Sequence, residues 1–171
     1  MQLSYLWTAI KSPPLLSLTL SLLFLQFCVP FAKAIPMERR ISLDGFWQFQ
    51  LDPDDEGLKK GWFKQSHKRS NWRLVKIPHT WQVEPGTEDY YGTGWYALEL
   101  GPFDFGPDRD LRIEFDAVYR DTTIWLNGSK VGEHNGSGWT PFGFPLNAAW
   151  KSGSTNLLVI RVDNRFSEDA L

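Results

Sequence analysis

Leu111-Arg112-Ile113-Glu114-Phe115-Asp116-Ala117 alternates apolar and charged side chains without a break. A period of two puts Leu, Ile, Phe and Ala on one face and the charges on the other, as in a strand with one buried and one wet face. The pattern recurs. Trp47, Phe49 and Leu51 alternate with Gln48 and Gln50, and Trp95–Leu100 and Leu157–Val162 read as two more strands. Thr122–Leu126 runs into Asn127-Gly128 and then Lys130-Val131. Asn-Gly tolerates the positive φ that a two-residue hairpin turn requires. Phe142, Phe144 and Leu146 form a further alternating run, which Pro145 confines to an edge or a strand end. Turn signals arrive about every ten residues, the spacing of an all-β sandwich or jelly roll. Helix is confined to short turns, expected over 147–151 and within 52–64.

The N-terminus reads as an address. Lys11 precedes an uncharged run from Leu15 to Val29, and Ala32-Lys33-Ala34 offers a small-x-small cleavage pattern. The run is short for a membrane span, and Pro30 and Lys33 end it. The reading is a signal peptide over 1–34 and one domain over 35–171, secreted or periplasmic, with a membrane anchor as the outcome if the segment stays uncleaved. Cleavage removes the only cysteine, Cys28, so the remaining domain holds together by core burial and not by disulfides. It also removes Lys11 and Lys33, which takes the net charge from −2 to −4. A polyanion held by phosphate neutralisation is excluded as partner on that balance, so no nucleic acid is expected.

Metal and nucleophile chemistry find no support. His67, His79 and His134 lack ligand spacing. Asp52-Pro53-Asp54-Asp55-Glu56-Gly57 opens like an EF-hand loop, but Phe63 stands where a bidentate Glu belongs, so a solvated acidic loop is the better reading. No Gly-x-Ser-x-Gly elbow, phosphate-cradling loop or thiol nucleophile is present, and no cofactor is expected. Among the aromatics, Trp47, Trp95, Tyr96, Trp125 and Trp139 are candidates to stack on sugar rings, but most lie on strands, where core or sheet packing is the preferred reading. Trp81, Tyr90 and Tyr91 fall in a long loop from His79 to Gly94, which favours contact with a ligand or another domain. Asn127 and Asn135 each begin an N-glycosylation sequon, with the hairpin turn the preferred role for Asn127.

Eight segments in order carry a resemblance. They are Leu43-Asp44-Gly45-Phe46-Trp47-Gln48-Phe49, Ile77-Pro78-His79-Thr80-Trp81, Gly94-Trp95-Tyr96, Phe115-Asp116-Ala117-Val118, Ile124-Trp125-Leu126-Asn127-Gly128, Val131-Gly132-Glu133-His134, Thr140-Pro141-Phe142 and Val162-Asp163-Asn164. Together they resemble the N-terminal sugar-binding domain of family 2 glycoside hydrolases, the β-galactosidases, β-glucuronidases and β-mannosidases. The resemblance implies a galactose-binding-like jelly-roll β-sandwich. It implies partner domains, an immunoglobulin-like sandwich and a (β/α)₈ barrel carrying two catalytic glutamates. Such a barrel takes roughly 200–250 residues, which this chain of 171 does not hold. No catalytic residue is assigned, and the Asn-Glu dipeptide of the family's acid/base is absent from the sequence. The resemblance further implies that Asp89, Asp163 and Asn164 lie at the rim of a sugar site, taking a β-galactoside or β-glucuronide. It also implies that Ser167–Leu171 falls short of the family's last strand. The expectation is therefore a fragment of an exported glycosidase. The alternative is a stand-alone carbohydrate-binding module without hydrolase activity.

Overall fold

The computed structural model describes residues 2–10 and 38–165. Among the described residues ten strands run in chain order: β1 (Gln2–Ile10), β2 (Arg39–Ser42), β3 (Gly45–Asp52), β4 (Arg73–Ile77), β5 (Thr93–Leu100), β6 (Arg109–Ala117), β7 (Asp121–Leu126), β8 (Ser129–His134), β9 (Phe142–Pro145) and β10 (Asn156–Asp163). One short helix, α1 (Gly57–Lys60), follows β3, and a 3-10 turn spans Trp81–Val83. The strands form two antiparallel sheets, ordered β2-β1-β6-β9 and β4-β3-β5-β10-β7-β8. This is the jelly-roll β-sandwich the sequence predicts.

The core lies between the sheets. Trp47, Phe49, Tyr96, Ile124, Leu158 and Ile160 from the larger sheet meet Leu6, Leu111, Ile113 and Phe115 from the smaller. The alternation of 111–117 resolves as read, with Leu111, Ile113 and Phe115 buried and Asp116 exposed. The continuous apolar run Leu157-Leu158-Val159-Ile160 has a different cause. Leu158 and Ile160 face the main core, whereas Leu157 and Val159 join a second cluster with Trp72, Trp95, Ala97 and Trp125. The excursion between β3 and β4 covers that outer face, bringing Trp62 and Phe63 onto it. Central strands of this sheet are thus buried on both sides, which erases the polar alternation.

The acidic excursion is exposed at Asp54 and Asp55, as a solvated loop would be, but not at its first residue. Asp52 is buried: its Oδ1 accepts the Glu56 N–H at 2.9 Å, and its Oδ2 accepts the Gly57 N–H at 2.8 Å and Trp95 Nε1–H at 3.0 Å. It anchors the turn that starts α1, which the positive φ of Gly61 ends. The expected turn over 147–151 is a single turn closed on the Leu146 carbonyl by the N–H groups of Ala149 and Trp150. Pro145 ends β9, which pairs only with β6 and is an edge strand. Two strands carry no alternation strong enough to read: β2 and β4.

The address reading covers 1–34. Residues 11–34, with Cys28 and the Ala32-Lys33-Ala34 pattern, lie outside the described residues, as does Ser167–Leu171. Gln2–Ile10 is a strand of the smaller sheet.

Candidate functional site

Four connections meet at one end of the sandwich. Asp163 at the end of β10 pairs with Thr93 at the start of β5 and Asp121 at the start of β7. Around that end lie the residues after β4 (Pro78–Gln82), Tyr119 before β7, the loop from β8 to β9 with Trp139, and Asn164 after β10. They line an open groove of about 540 Å³, with Val162 in its floor. The size suits a small ligand.

Trp139 dominates the groove's surface. Its side chain is 81% exposed, and its ring lies 6.0 Å from that of Tyr119 at an interplanar angle of 51°. An indole held out to solvent on a second ring is an apolar platform beside polar groups, the arrangement that suits an amphipathic ring ligand. Gly138 makes it possible: a Cβ there would fall into the Tyr119 ring, so only glycine lets the loop lie this close.

His79 forms the inner wall. Its Nδ1 is 2.8 Å from Tyr96 Oη, and its Nε2 is 3.1 Å from Glu84 Oε1. Burial pushes the Tyr96 hydroxyl far above the ordinary phenol value, so it stays protonated. Glu84 is held below the usual carboxylate range by Arg73, whose Nη1 donates to Oε1 at 2.8 Å, against the opposing effect of its own partial burial. An ionised carboxylate only accepts, so Nε2 carries the imidazole proton and Nδ1 accepts from Tyr96. Burial lowers the His79 pKa despite Glu84. The wall is therefore neutral, with its polarity turned inward.

The residues singled out in the sequence separate into three groups. Trp81 and Asn164 line the groove, but both are buried and engaged. Trp81 stacks on Phe49 at 5.9 Å and donates Nε1–H to the Tyr90 carbonyl at 3.2 Å. Asn164 accepts the Gly92 N–H at 2.8 Å and donates to the Tyr90 carbonyl at 3.3 Å. Tyr90 is a second brace of that loop: its hydroxyl donates to the Thr93 carbonyl at 3.0 Å and accepts the Thr93 N–H at 3.1 Å. Tyr91 and Asp89 are exposed and do not line the groove. Asp163 does not line it either. It joins Arg165 in a close ion pair and accepts from Arg161 Nη2 at 3.2 Å, and both arginines also reach Asp55. Burial would raise the Asp163 pKa, but the guanidiniums outweigh it and hold the carboxyl below its ordinary value; Asp55 follows the same pattern.

Asn127 sits at φ +54° in the hairpin turn. Its Oδ1 accepts the Leu157 N–H at 2.9 Å, and its Nδ2 donates to the Ala149 carbonyl at 2.8 Å and to Asn156 Oδ1 at 2.7 Å. Asn135 is exposed in the loop that carries Trp139. Trp139 is the residue sequence reasoning undervalued. Its signal was the setting, Ser137-Gly138-Trp139-Thr140-Pro141, a turn and not a strand. Among the described residues, no group of three or more His, Cys, Asp or Glu converges as a metal site.

The fold is an all-β jelly roll with a neutral, aromatic-lined groove at the strand ends, and comparison with known proteins places similar folds in glycosidases. No family-wide sequence profile matches the chain. Individual relatives do. The chain is 28% identical over 148 residues to a β-galactosidase of Bacteroides ovatus, covering 80% of the chain and 17% of that protein. It is 27% identical over 153 residues to the β-glucuronidase of Mus musculus, covering 82% of the chain and 24% of that protein. Among solved structures, the β-glucuronidase of Ruminococcus gnavus superposes with a TM-score of 0.66 at 26% identity, covering 74% of the chain and 22% of that protein. The β-glucuronidase of Lactobacillus rhamnosus gives 0.65 at 31% identity, with coverages of 75% and 22%. The chain is a homologue of family 2 glycoside hydrolases and corresponds to their N-terminal jelly-roll domain. It spans less than a quarter of the length of each of these relatives.

Proposed function

We propose that this chain supplies the sugar-facing β-sandwich of an exported family 2 glycosidase that acts on β-linked sugars of the galactoside or glucuronide type, and that its own part is to bind the glycoside and not to cleave it. The observation that carries the reading is the groove: an exposed indole on Tyr119 beside the Thr80 and Gln82 side chains, at the strand ends where loops are free to vary. The activities of the relatives, β-galactosidase and β-glucuronidase, supply the sugar class.

Cleavage needs something else. Retaining hydrolysis takes one carboxyl as acid, with a raised pKa, and a second as nucleophile about 5–5.5 Å away. Asp55, Asp163 and Glu84 are each held below their ordinary pKa by arginine, the opposite of a poised acid. The chemistry then belongs to a partner domain, the barrel that the family resemblance implies, with an immunoglobulin-like sandwich between.

A stand-alone carbohydrate-binding module is the second reading. The exposed indole beside Tyr119 would serve that role without a partner domain. Calorimetric titration of the full chain with methyl β-galactoside and methyl β-glucuronide tests both. Saturable heat without released methanol supports a binding domain. No heat with either sugar, even in large excess, removes the binding role and leaves a scaffold.

A further inference from the structure

No side chain lining the groove carries a fixed charge. Thr80, Gln82 and Asn164 supply hydroxyl and amide groups, Tyr119 and Trp139 supply rings, and His79 spends both ring nitrogens on Tyr96 and Glu84. The charged groups around the groove cancel in place. Arg73 grips Glu84 with both Nη atoms, behind His79. Arg165, next to Asn164, and Arg161, on β10, share Asp55 and Asp163. Arg120, next to Tyr119, is buried with its Nε 3.7 Å from Asp121 Oδ1. Four guanidiniums thus meet four carboxylates, and each of these positive charges is matched where it stands.

We propose that the groove sorts sugars by charge: it takes an uncharged hexoside of the galactoside type and excludes a uronide, whose carboxylate finds no counter-ion there. This rests on the groove being a glycoside site, and it names which of the two sugar classes that site takes. Three effects act against the anion. A carboxylate seated among these groups gives up water without gaining an opposite charge, and an unpaired charge is far costlier to desolvate than a hydroxyl. A ring face carries the negative side of its quadrupole, so the exposed Trp139 indole attracts C–H groups and cations and repels an anion. The neighbouring guanidiniums are no substitute, because turning one towards a ligand takes it from a carboxylate that is then left unpaired. A galactoside carries a hydroxymethyl group where a glucuronide carries its carboxylate. That hydroxyl both donates and accepts, and so do the side chains of Thr80 and Gln82. Holding a glucuronide carboxylate takes a cation that the described residues of this groove do not supply.

Calorimetric titration of the full chain at about pH 7, where a uronic acid is ionised, tests this with three probes. They are methyl β-galactoside, methyl β-glucuronide, and the methyl ester of that glucuronide, which keeps its ring stereochemistry and loses its charge. The galactoside and the ester are expected to bind, and the acid at least tenfold more weakly than its ester. Thr80→Lys and Gln82→Arg each add a cation to the lining. In at least one of them, shown to be folded by its Tm, the ester-to-acid ratio is expected to fall below threefold. An acid that binds as tightly as its ester, or more tightly, overturns the charge selection and leaves glycoside binding standing. So does an ester that fails to bind while the galactoside binds, since ring stereochemistry is then the sorter. So does a tenfold ratio that persists in both variants. No heat with any of the three sugars removes the binding role itself, and the charge selection with it.

Discussion

The amide oxygen of Asn164 accepts the Gly92 N–H at 2.8 Å, and the Asn164 N–H returns a bond to the Gly92 carbonyl at 3.1 Å. This reciprocal pair ties the end of β10 to the entry of β5, and it engages the side chain that the family resemblance places in sugar contact. Asn164 shapes the groove by fixing the loop behind it. Asn164→Ala leaves the Gly92 N–H unpaired in a buried setting, which costs about 1–3 kcal/mol. Thermal unfolding is expected to show that loss together with weaker glycoside binding. An unchanged Tm would mean that the amide is not a brace.

Acid acts in two windows. Below the ordinary imidazole value of 6.5, an unfolded His79 takes up a proton that the folded, buried ring resists. The unfolded state then binds more protons, so stability falls as pH drops through that value. Glu84 and Asp163 are depressed groups, held by Arg73 and by Arg165 and Arg161 respectively. Their contribution is present above the ordinary carboxylate range and is lost as pH falls through their folded values. Tm is therefore expected to decline between about pH 7 and 5 and again below about pH 4. His79→Gln should reduce the first decline, leaving the share of His67, whose pKa burial and Arg69 likewise lower, and should not change the second. A wild-type Tm that does not move between about pH 7 and 5 would contradict the neutral, buried wall.

The two sequons differ in what a glycan would break. At Asn127 it would displace the bonds from Nδ2 to the Ala149 carbonyl and Asn156 Oδ1. Asn135 is exposed. Expression in a glycosylating host should give folded protein with sugar at Asn135 and none at Asn127, read by peptide mass spectrometry. Folded protein occupied at Asn127 would refute the assignment.

The ion cluster of Asp55, Asp163, Arg161 and Arg165 is a clamp across the strand ends. Asp163→Asn leaves two guanidiniums sharing one carboxylate and is expected to cost about 1–3 kcal/mol, less than the roughly 3–5 kcal/mol of breaking a fully buried pair because Arg165 is half exposed. Glycoside affinity should stay within twofold, since Asp163 does not line the groove. A large affinity loss with unchanged stability would put its carboxylate in the sugar site after all.

Much of the sandwich was legible because its strands bury one face. Period two in 111–117 and the Asn127-Gly128 turn translate directly into β6 and the β7–β8 hairpin. Legibility failed where local signal is weak, and the two-sided burial of β10, read as a strand over Leu157–Val162, left no mark in its period. Leu157–Ile160 carries no alternation because Trp62 and Phe63 cover its outer face, and β4 exposes Leu74 at 66%. The groove was half legible. Trp81 and Asn164 were in reach of sequence reasoning, but their engagement with Tyr90 and Gly92 is a long-range fact. Trp139 looked like one more packing tryptophan, and its exposure depends on Gly138 lying against Tyr119, two elements away in the fold.

Trp139 is where the account is most exposed to test. Its side chain supports no core, so Trp139→Ala should change stability by no more than about 0.5 kcal/mol. Calorimetry of wild-type and Trp139→Ala full chains with methyl β-galactoside and methyl β-glucuronide reads the central claim directly. The account predicts saturable binding of at least one sugar by the wild type and a loss of tenfold or more in the variant at unchanged Tm. Equal binding by the two proteins, or none by either, would contradict it.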